Sequence, residues 1–528
     1  MKGSDRGFGR WLVSPWRRGV VAALAGALPM LAFPAPSWWW FAYVAIVPWI
    51  LLIRSAPTGR RAAYDGWLGG LGYILAVHHW LLPSLHVFTV VIAALLGTLW
   101  APWGWLVRRF LAGVPSPGQV CAALLVLPSG WLVVELARSW QGLGGPWGLL
   151  GSSQWDVAPA LRLASVGGVW LISFLVVSVN VAAAVLVAVR ESRRPALAGL
   201  LATAAATSAA WIWSPRPDVD GRVRIAVVQP GIVDGGASGD RRFAREEALT
   251  RQLAGQGADL VVWGESSVGS DLAERPDLAR RVAALSREVG ADILVNVDAR
   301  RSDRPGIYKS SVLVGPQGTT GDRYDKRRLV PFGEYVPARA LLGWATSVGK
   351  AAGEDRMRGT EQVVMNVGQG LRVGPMVCFE SAFPDMSRHL AQDGAEVLVV
   401  QSSTSSFQHS WAPEQHASLA ALRAAETGRS MVHATLTGVS AVYGPSGERV
   451  GSWLGTDASG TVLYEVPVAR GVTPYVRFGD WPVHAALLVL AALCVTEGAR
   501  TLRLRRTSPE PLVPPARTAH ESPARPGR

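Results

Sequence analysis

Cys378 closes the apolar run LRVGPMVC (371–378) and is followed by Phe-Glu-Ser, so a thiol stands where a strand gives way to a loop. Glu265 ends another apolar run, in VVWGESS, and Lys326 lies in YDKRRLVPFGEYVP with Glu334 eight residues further on. In layered α/β domains, reactive groups gather at strand ends. A cysteine nucleophile needs a base to take its proton and a cation to favour thiolate and oxyanion; a carboxylate and an ammonium at separate strand ends could supply both. Position alone leaves blander readings open. Cys378 then is a structural cysteine, Lys326 one solvated cation beside Arg323, Arg327 and Arg328, and Glu265 a surface carboxylate. Cys121 and Cys494 fall inside long apolar runs and read as packing residues. No closely spaced Cys/His group reads as a metal site, since His78 and His79 end an apolar run and His409 and His416 lie in or beside a loop. Neither a metal nor a cofactor is expected.

The elements that must hold these residues lie in the segment 214–480. Short β-type runs occur at 222–229, 258–264, 291–298, 311–315, 371–378, 395–401, 431–443 and 461–468, with helical patterns at 241–256, 274–289 and 416–429. Leu278, Val282, Leu285 and Val289 form one apolar stripe at three- and four-residue steps. Strands separated by helices read as an α/β layered domain.

On either side the rhythm is different. Apolar runs near 19–33, 38–53, 66–82, 86–107, 119–137, 167–189 and 196–213, and one more at 481–498, are each close to the ~20 residues that cross a bilayer. One such run could be a buried soluble helix; seven in succession could not be covered by the sequence between them. The chain therefore divides into a membrane domain of seven spans (1–213), an α/β domain (214–480), an eighth span (481–498) and a basic, Pro-rich tail (499–528) whose residues from 507 on are expected to be disordered. Positive residues at 2, 6, 10, 17, 18, 54, 60, 61, 108, 109, 190, 193 and 194 occupy the N-terminus and alternate loops, whereas the opposite loops carry Arg138 and Arg162. The positive-inside rule then puts the N-terminus and tail in the cytoplasm and 214–480 outside the cell membrane. The first run also has the basic flank and short apolar stretch of a secretory signal; its cleavage would leave the α/β domain on the same side.

Composition agrees with this division. The 528 residues are 49% hydrophobic and 17% charged, too oily for a wholly soluble or a disordered chain. Three cysteines cannot make a disulfide scaffold, and 23 tryptophans with 57 glycines suit interfacial rings and close helix contacts. The net charge of +13 invites a nucleic-acid partner, but the segment 214–494 holds 30 Lys/Arg against 31 Asp/Glu. No folded domain carries the excess, and no nucleic acid is expected.

Over nearly its whole length the chain resembles the apolipoprotein N-acyltransferases, membrane enzymes with an outer nitrilase-type (carbon–nitrogen hydrolase) domain. The resemblance is carried by KRRLVPFGEYVP (326–337), GGPWGLLGSSQ (144–154), CFE (378–380), and AALRAAETGR with GVSAVYGPSG between 420 and 447. It implies an α-β-β-α sandwich on a helical multi-pass domain and a Glu–Lys–Cys triad, here Glu265, Lys326 and Cys378. It also implies a supporting Glu334, with Phe379 and Glu380 following the nucleophile. The departures are Phe379 where Tyr is commoner, Gly264 where Pro commonly precedes the first glutamate, and Ser403–Gln408 in place of Asn-Asp-x-Trp-Phe-Gly. A Trp shortly after the first domain strand has no clear counterpart.

The chemistry so implied is ping-pong acyl transfer. Acyl passes from a membrane phospholipid to Cys378 as a thioester, then to the α-amine of a diacylglyceryl-cysteine at a lipoprotein N-terminus. Lys326 and a backbone N–H near Phe379 would stabilise the oxyanion. Residues 338–349, apolar and containing Trp344, read either as an arm dipping toward the membrane or as a core loop. Two rival readings are a membrane-tethered amidase using the same triad and a non-catalytic membrane paralogue.

Overall fold

The computed structural model describes residues 14–233, 238–343, 353–368 and 370–507. Its first part is a bundle of helices: α1 (Pro15–Ala27), α2 (Val47–Arg54), α3 (Gly59–Val77), α4 (Val87–Gly97), α5 (Trp100–Leu111), α6 (Pro117–Arg138), α7 (Ala158–Ala188) and α8 (Arg193–Trp213). Among the described residues, α6, α7, the α8 segment and the C-terminal helix Trp481–Thr507 are long and apolar enough to cross a membrane. The pair α4–α5, bent by 43°, makes a fifth if it counts as one span. The first three apolar runs give shorter or more polar helices. A 3-10 turn over Leu28–Ala32 follows α1, with Pro29 at its start and Pro34 and Pro36 beyond it. α2 has 8 residues, and α3 carries Arg60, Arg61 and Asp65 in its first turns.

Small residues let these helices touch. A Cβ on Gly72 of α3 would sit 1.9 Å from the Ala23 carbonyl oxygen of α1, so only glycine allows that crossing. Tryptophan is used inside the bundle as well as at its surface. Trp49, Trp100, Trp103 and Trp131 are buried with Tyr73, their ring centroids 5.1–6.0 Å apart. Trp38, Trp39, Trp40, Trp211 and Trp213 stay exposed, as interfacial rings would. Cys121 and Cys494 are exposed on their helices rather than packed. α7 breaks at Gly167–Gly168, where Gly168 has φ +67°, so the break falls at the start of the apolar run 167–189.

The middle segment is a sandwich of two six-stranded sheets. The strands are β1 (Asp218–Gln229), β2 (Leu260–Trp263), β3 (Asp292–Arg300), β4 (Ile307–Gly315), β5 (Gly318–Asp325) and β6 (Met365–Val367). They continue as β7 (Leu371–Val377), β8 (Val397–Ser402), β9 (Ser430–Thr435), β10 (Ser440–Tyr443), β11 (Arg449–Leu454) and β12 (Gly460–Arg470). The sheet orders are β12-β1-β2-β3-β4-β5 and β11-β10-β9-β8-β7-β6. Val227, Val262 and Leu294 of one sheet meet Val377, Val399 and Val432 of the other in a single apolar layer. Helices α9 (Ser238–Arg251) and α10 (Pro276–Val289) cover the first sheet; α11 (Pro384–Gln392) and α12 (Ala412–Thr427) cover the second. The α-β-β-α order matches the sequence expectation. β5, β6, β11 and α11 add to it, and the run 431–443 is two strands joined by a turn at Gly438.

Every residue of α12 except Glu414 is buried. One face (Leu419, Ala420, Ala424) packs on the second sheet, and the other (Leu422, Ala425) joins the core of the membrane bundle. At the same junction Glu426 accepts the Val169 N–H at 2.8 Å, capping the part of α7 that follows the break. The chain ends in α13 (Trp481–Thr507); the expected tail from residue 508 on lies outside the described residues.

Candidate active site

β1, β2 and β3 run parallel, as do β7, β8 and β9, so the C-terminal ends of each trio form one edge of the sandwich. β4 is antiparallel to β3 and β5 to β4, which brings the start of β4 and the end of β5 to that edge too. Glu265 follows β2, Lys326 follows β5 and Cys378 follows β7. Sheet topology thus brings together three residues separated by 52 positions or more in the sequence.

Lys326, fully buried, donates to Glu334 at 2.7 Å and to Glu265 at 3.2 Å. The Cys378 thiol lies close enough to the Glu265 carboxylate to feel its charge. Glu334 is locked by its own loop, its second oxygen accepting the Val330 N–H at 2.8 Å. Cys378 itself has φ +52°, a left-handed conformation that a side chain rarely adopts, in a sharp turn from β7 into the 3-10 segment Cys378–Ala382. The sequence departure at Gly264 has a steric cause. A Cβ there would lie 2.0 Å from the Leu436 backbone nitrogen, because the ends of β2 and β9 nearly touch.

Charge decides the resting protonation. Burial alone would raise the Glu265 carboxyl, but the adjacent Lys309 and Lys326 ammonium groups overcome it and hold it at about 2. Burial, then the Glu265 charge, pushes the Cys378 thiol up to about 12. Burial also opposes the charge on Lys326, yet the two glutamates keep it well above the usual lysine range. At neutral pH the site holds a thiol, two carboxylates and two ammonium ions.

Glu380 does not reach this cluster. Its carboxylate accepts the Tyr324 hydroxyl at 2.7 and 2.8 Å, the Arg327 and Arg328 N–H groups at 2.7 and 3.0 Å, and the Val377 N–H at 2.8 Å. It ties the Lys326 loop to the nucleophile's turn. Phe379 packs edge-to-face on Phe383 with centroids 5.0 Å apart, and Gly145 of the GGPWG loop lies close against its ring.

Two residues that sequence reasoning left without a role stand at the centre. Lys309, third residue of β4, donates to Glu265 at 2.8 Å and lies 3.1 Å from Glu334. Its one signal in the sequence is a cation inside an apolar strand. His416 lies in α12, where the helical pattern at 416–429 begins, with Nε2 3.0 Å from the Cys378 carbonyl and Nδ1 3.1 Å from the Ser402 hydroxyl. Burial pushes its imidazole down to about 4, so it is neutral; Nε2–H donates to the carbonyl and Nδ1 accepts from Ser402. Among the described residues no group of three or more His, Cys, Asp or Glu could hold a metal ion.

Cys378, Phe379 and His416 line one end of a cavity of about 320 Å³, and Ile74, Leu81, Leu85 and Leu96 from the bundle line the rest. Trp80 and Trp147 stand in its wall, both donating to Gln415, at 3.2 and 3.0 Å. The pocket is therefore mostly apolar, is walled in part by the N-terminal helical bundle and reaches the thiol. Of the candidate arm, residues 344–349 lie outside the described residues; Arg339–Leu342 form a single helical turn.

The sequence profile of the apolipoprotein N-acyltransferase N-terminal domain matches residues 25–182, and that of carbon-nitrogen hydrolases matches residues 224–472. Apolipoprotein N-acyltransferase of Azotobacter vinelandii is 30% identical over 529 residues, covering 96% of this chain and 99% of its own. The chain belongs to the apolipoprotein N-acyltransferase family. The N-acyltransferase of Pseudomonas syringae pv. tomato is 29% identical over 505 residues (91% and 97% of the two chains), and that of Ralstonia nicotianae 31% over 498 (90% and 92%). Among solved structures, an amidase from Nesterenkonia sp. aligns with 52% of this chain and 97% of its own at 19% identity and a TM-score of 0.35. The N-acyltransferase profile covers most of the bundle and the hydrolase profile most of the sandwich, so the Cys378 pocket lies where the two matched regions meet.

Proposed function

We propose that this protein N-acylates lipoproteins, moving a fatty acyl chain from a membrane phospholipid through a Cys378 thioester to the α-amine of a diacylglyceryl-cysteine. The observation that carries the reading is the mostly apolar cavity, walled in part by the N-terminal helical bundle, that ends on Cys378. In the first half-reaction the Cys378 proton passes to Glu265 as sulfur attacks the ester carbonyl. Lys326 faces the developing oxyanion, the carbon–oxygen bond breaks, and the proton leaves on the lysophospholipid. In the second, the amine attacks the thioester, its proton passes by way of Glu265 to the departing sulfur, and an amide forms. A carboxyl held at about 2 is a weak base for a thiol at about 12, so proton transfer accompanies carbon–sulfur bond formation. Glu334 holds Lys326 in place, and Phe379 and Glu380 shape the turn.

The same proposal has residues 1–213 and 481–498 crossing the cell membrane eight times, with 214–480 outside and the tail from 499 inside. Contacts at one end of the bundle support that alternation. Arg18 and Arg61 share Asp65, at 2.7 and 2.8 Å; Arg54 reaches the Gly113 carbonyl; Arg108 donates to Ala56 at 2.8 Å and Arg109 to Glu497 at 2.8 Å. The test is mass spectrometry of a lipoprotein N-terminus from cells with and without the protein. An added amide-linked acyl group that depends on it supports the proposal. Release of free acid or ammonia from small amides, with no lipoprotein product, would favour an amidase instead.

A further inference from the structure

Lys309 and Lys326 alternate with Glu265 and Glu334 in a closed ring of four charges. Lys326 Nζ lies 3.2 Å from Glu265 Oε1 and 2.7 Å from Glu334 Oε1; Lys309 Nζ lies 2.8 Å and 3.1 Å from the same two oxygens. Both carboxylates thus aim one oxygen at the same pair of ammonium groups. With Lys326 alone, two buried carboxylates would share one cation, and like charges so close raise the pKa of one of them, favouring its protonated form. We propose that Lys309 is a positioning residue that keeps Glu265 and Glu334 ionised together, so that the base and the carboxylate orienting Lys326 are available at once.

The inference rests on the acyl-transfer reading for the role of Glu265, but its electrostatic content is separate. The groups facing Lys309 come from every neighbouring element. Glu265 comes from the loop after β2, and Lys326 and Glu334 from the segment after β5. Asp298 stands opposite on β3, 3.8 Å away and itself paired with Arg356 at 3.2 Å, and the Cys378 thiol lies across the site. Asp298 already has Arg356, so the uncompensated carboxylate left by removing Lys309 falls on the Glu265–Glu334 pair. Register fixes the arrangement: Lys309 pairs with Asp298 across β3–β4, and the Lys326 N–H donates to the Lys309 carbonyl at 2.8 Å.

The full-length protein in proteoliposomes, given a fluorescent-acyl phospholipid and a diacylglyceryl-cysteine peptide, provides the test. kcat/KM is measured from pH 5.5 to 8.5 for wild type, Lys309→Met and Lys309→Arg. In Lys309→Met an acid limb is expected to enter the measured range, with its midpoint at about pH 6.5 or above, so that the loss at pH 5.5 exceeds the loss at pH 8.5 at least tenfold. Lys309→Arg should bring the limb back. A loss of equal size at every pH, or no loss, would overturn the proposal. The second readout needs no turnover: the pH dependence of Cys378 alkylation by iodoacetamide, followed by peptide mass spectrometry. Removing the cation should displace that profile to higher pH, and an unmoved profile counts against Lys309. If wild type alkylates in this way yet transfers no acyl to the peptide, the acyl-transfer reading fails and the charge ring stands.

Discussion

At the scale of single residues, a thiol raised to about 12 beside a carboxylate lowered to about 2 makes Cys378 quiet at rest. Iodoacetamide should modify it slowly at pH 7, with a rate that climbs through pH 9 and beyond, while Cys378→Ala removes both the modification and any hydroxylamine-labile acyl group. Fast, pH-independent alkylation near neutrality would show a thiolate ground state instead. Glu380 makes a different prediction. All its partners are donors, so the amide NH₂ of Glu380→Gln must face a backbone N–H or the Tyr324 hydroxyl. The expected cost is about 1–3 kcal/mol of stability, read as a lower Tm, with activity falling because the turn and the Lys326 loop part. Cys378, Glu265 and Lys326 were legible in the sequence because each stands at the end of an apolar run or in a long recognisable motif. Lys309 was not, because what makes it important is its reach to Glu265 and Glu334, which strand register sets and which is written in tertiary pairing rather than in local pattern.

At the scale of elements, the strands most visible in the sequence are largely buried ones, β2, β7 and β8, each built on an unbroken apolar stretch (260–263, 373–377 and 397–400). β5 and β11 escaped because exposed and half-buried positions dominate them. The three N-terminal apolar runs form helices shorter or more polar than the runs themselves, since apolar composition reports neither the prolines that follow α1 nor the charges Arg60, Arg61 and Asp65 that open α3. Between elements, the tight approach of β2 to β9 gives a sharp test. Gly264→Ala places a methyl group into the Leu436 backbone, so the strand ends must separate. Destabilisation on the order of 1–3 kcal/mol is expected. Turnover should fall further than stability alone explains, because Glu265 is the next residue. A variant with unchanged Tm and activity would mean that the two strand ends have slack.

For the whole molecule, stability should depend on pH through two buried imidazoles. Burial holds His416 at about 4 and His433 at about 3, and their rings lie 4.8 Å apart. Both are neutral in the fold and would titrate near ~6.5 once unfolded. At these two groups the unfolded chain binds more protons below about pH 6.5, and their contribution to stability falls as pH drops from there toward the folded-state values, while Glu426, which burial raises to about 7, contributes with the opposite sign. Glu265, whose folded value is depressed, adds its own loss only below about pH 4.5. Thermal melts of the detergent-solubilised protein at pH 8, 6.5, 5.5 and 4.5 should show the fall setting in below pH 6.5, and His433→Gln should make it shallower. A Tm profile that is the same in His433→Gln as in wild type would mean that this imidazole takes up no proton on unfolding.

The two faces of α12 carry a consequence for how the protein is made. Its inner face completes the sandwich and its outer face is covered by the helical bundle, with Glu426 reaching over to Val169. Synthesis runs from the N-terminus, so α1 to α8 leave the ribosome about two hundred residues before α12, and the surface that will receive it exists before it does. The bundle then works as a template during biogenesis, holding a ready-made wall against which the last layer of the sandwich closes. A chain cut free of its first 213 residues would finish translation with Leu422 and Ala425 facing water, and other copies of itself would be the nearest apolar surface on offer.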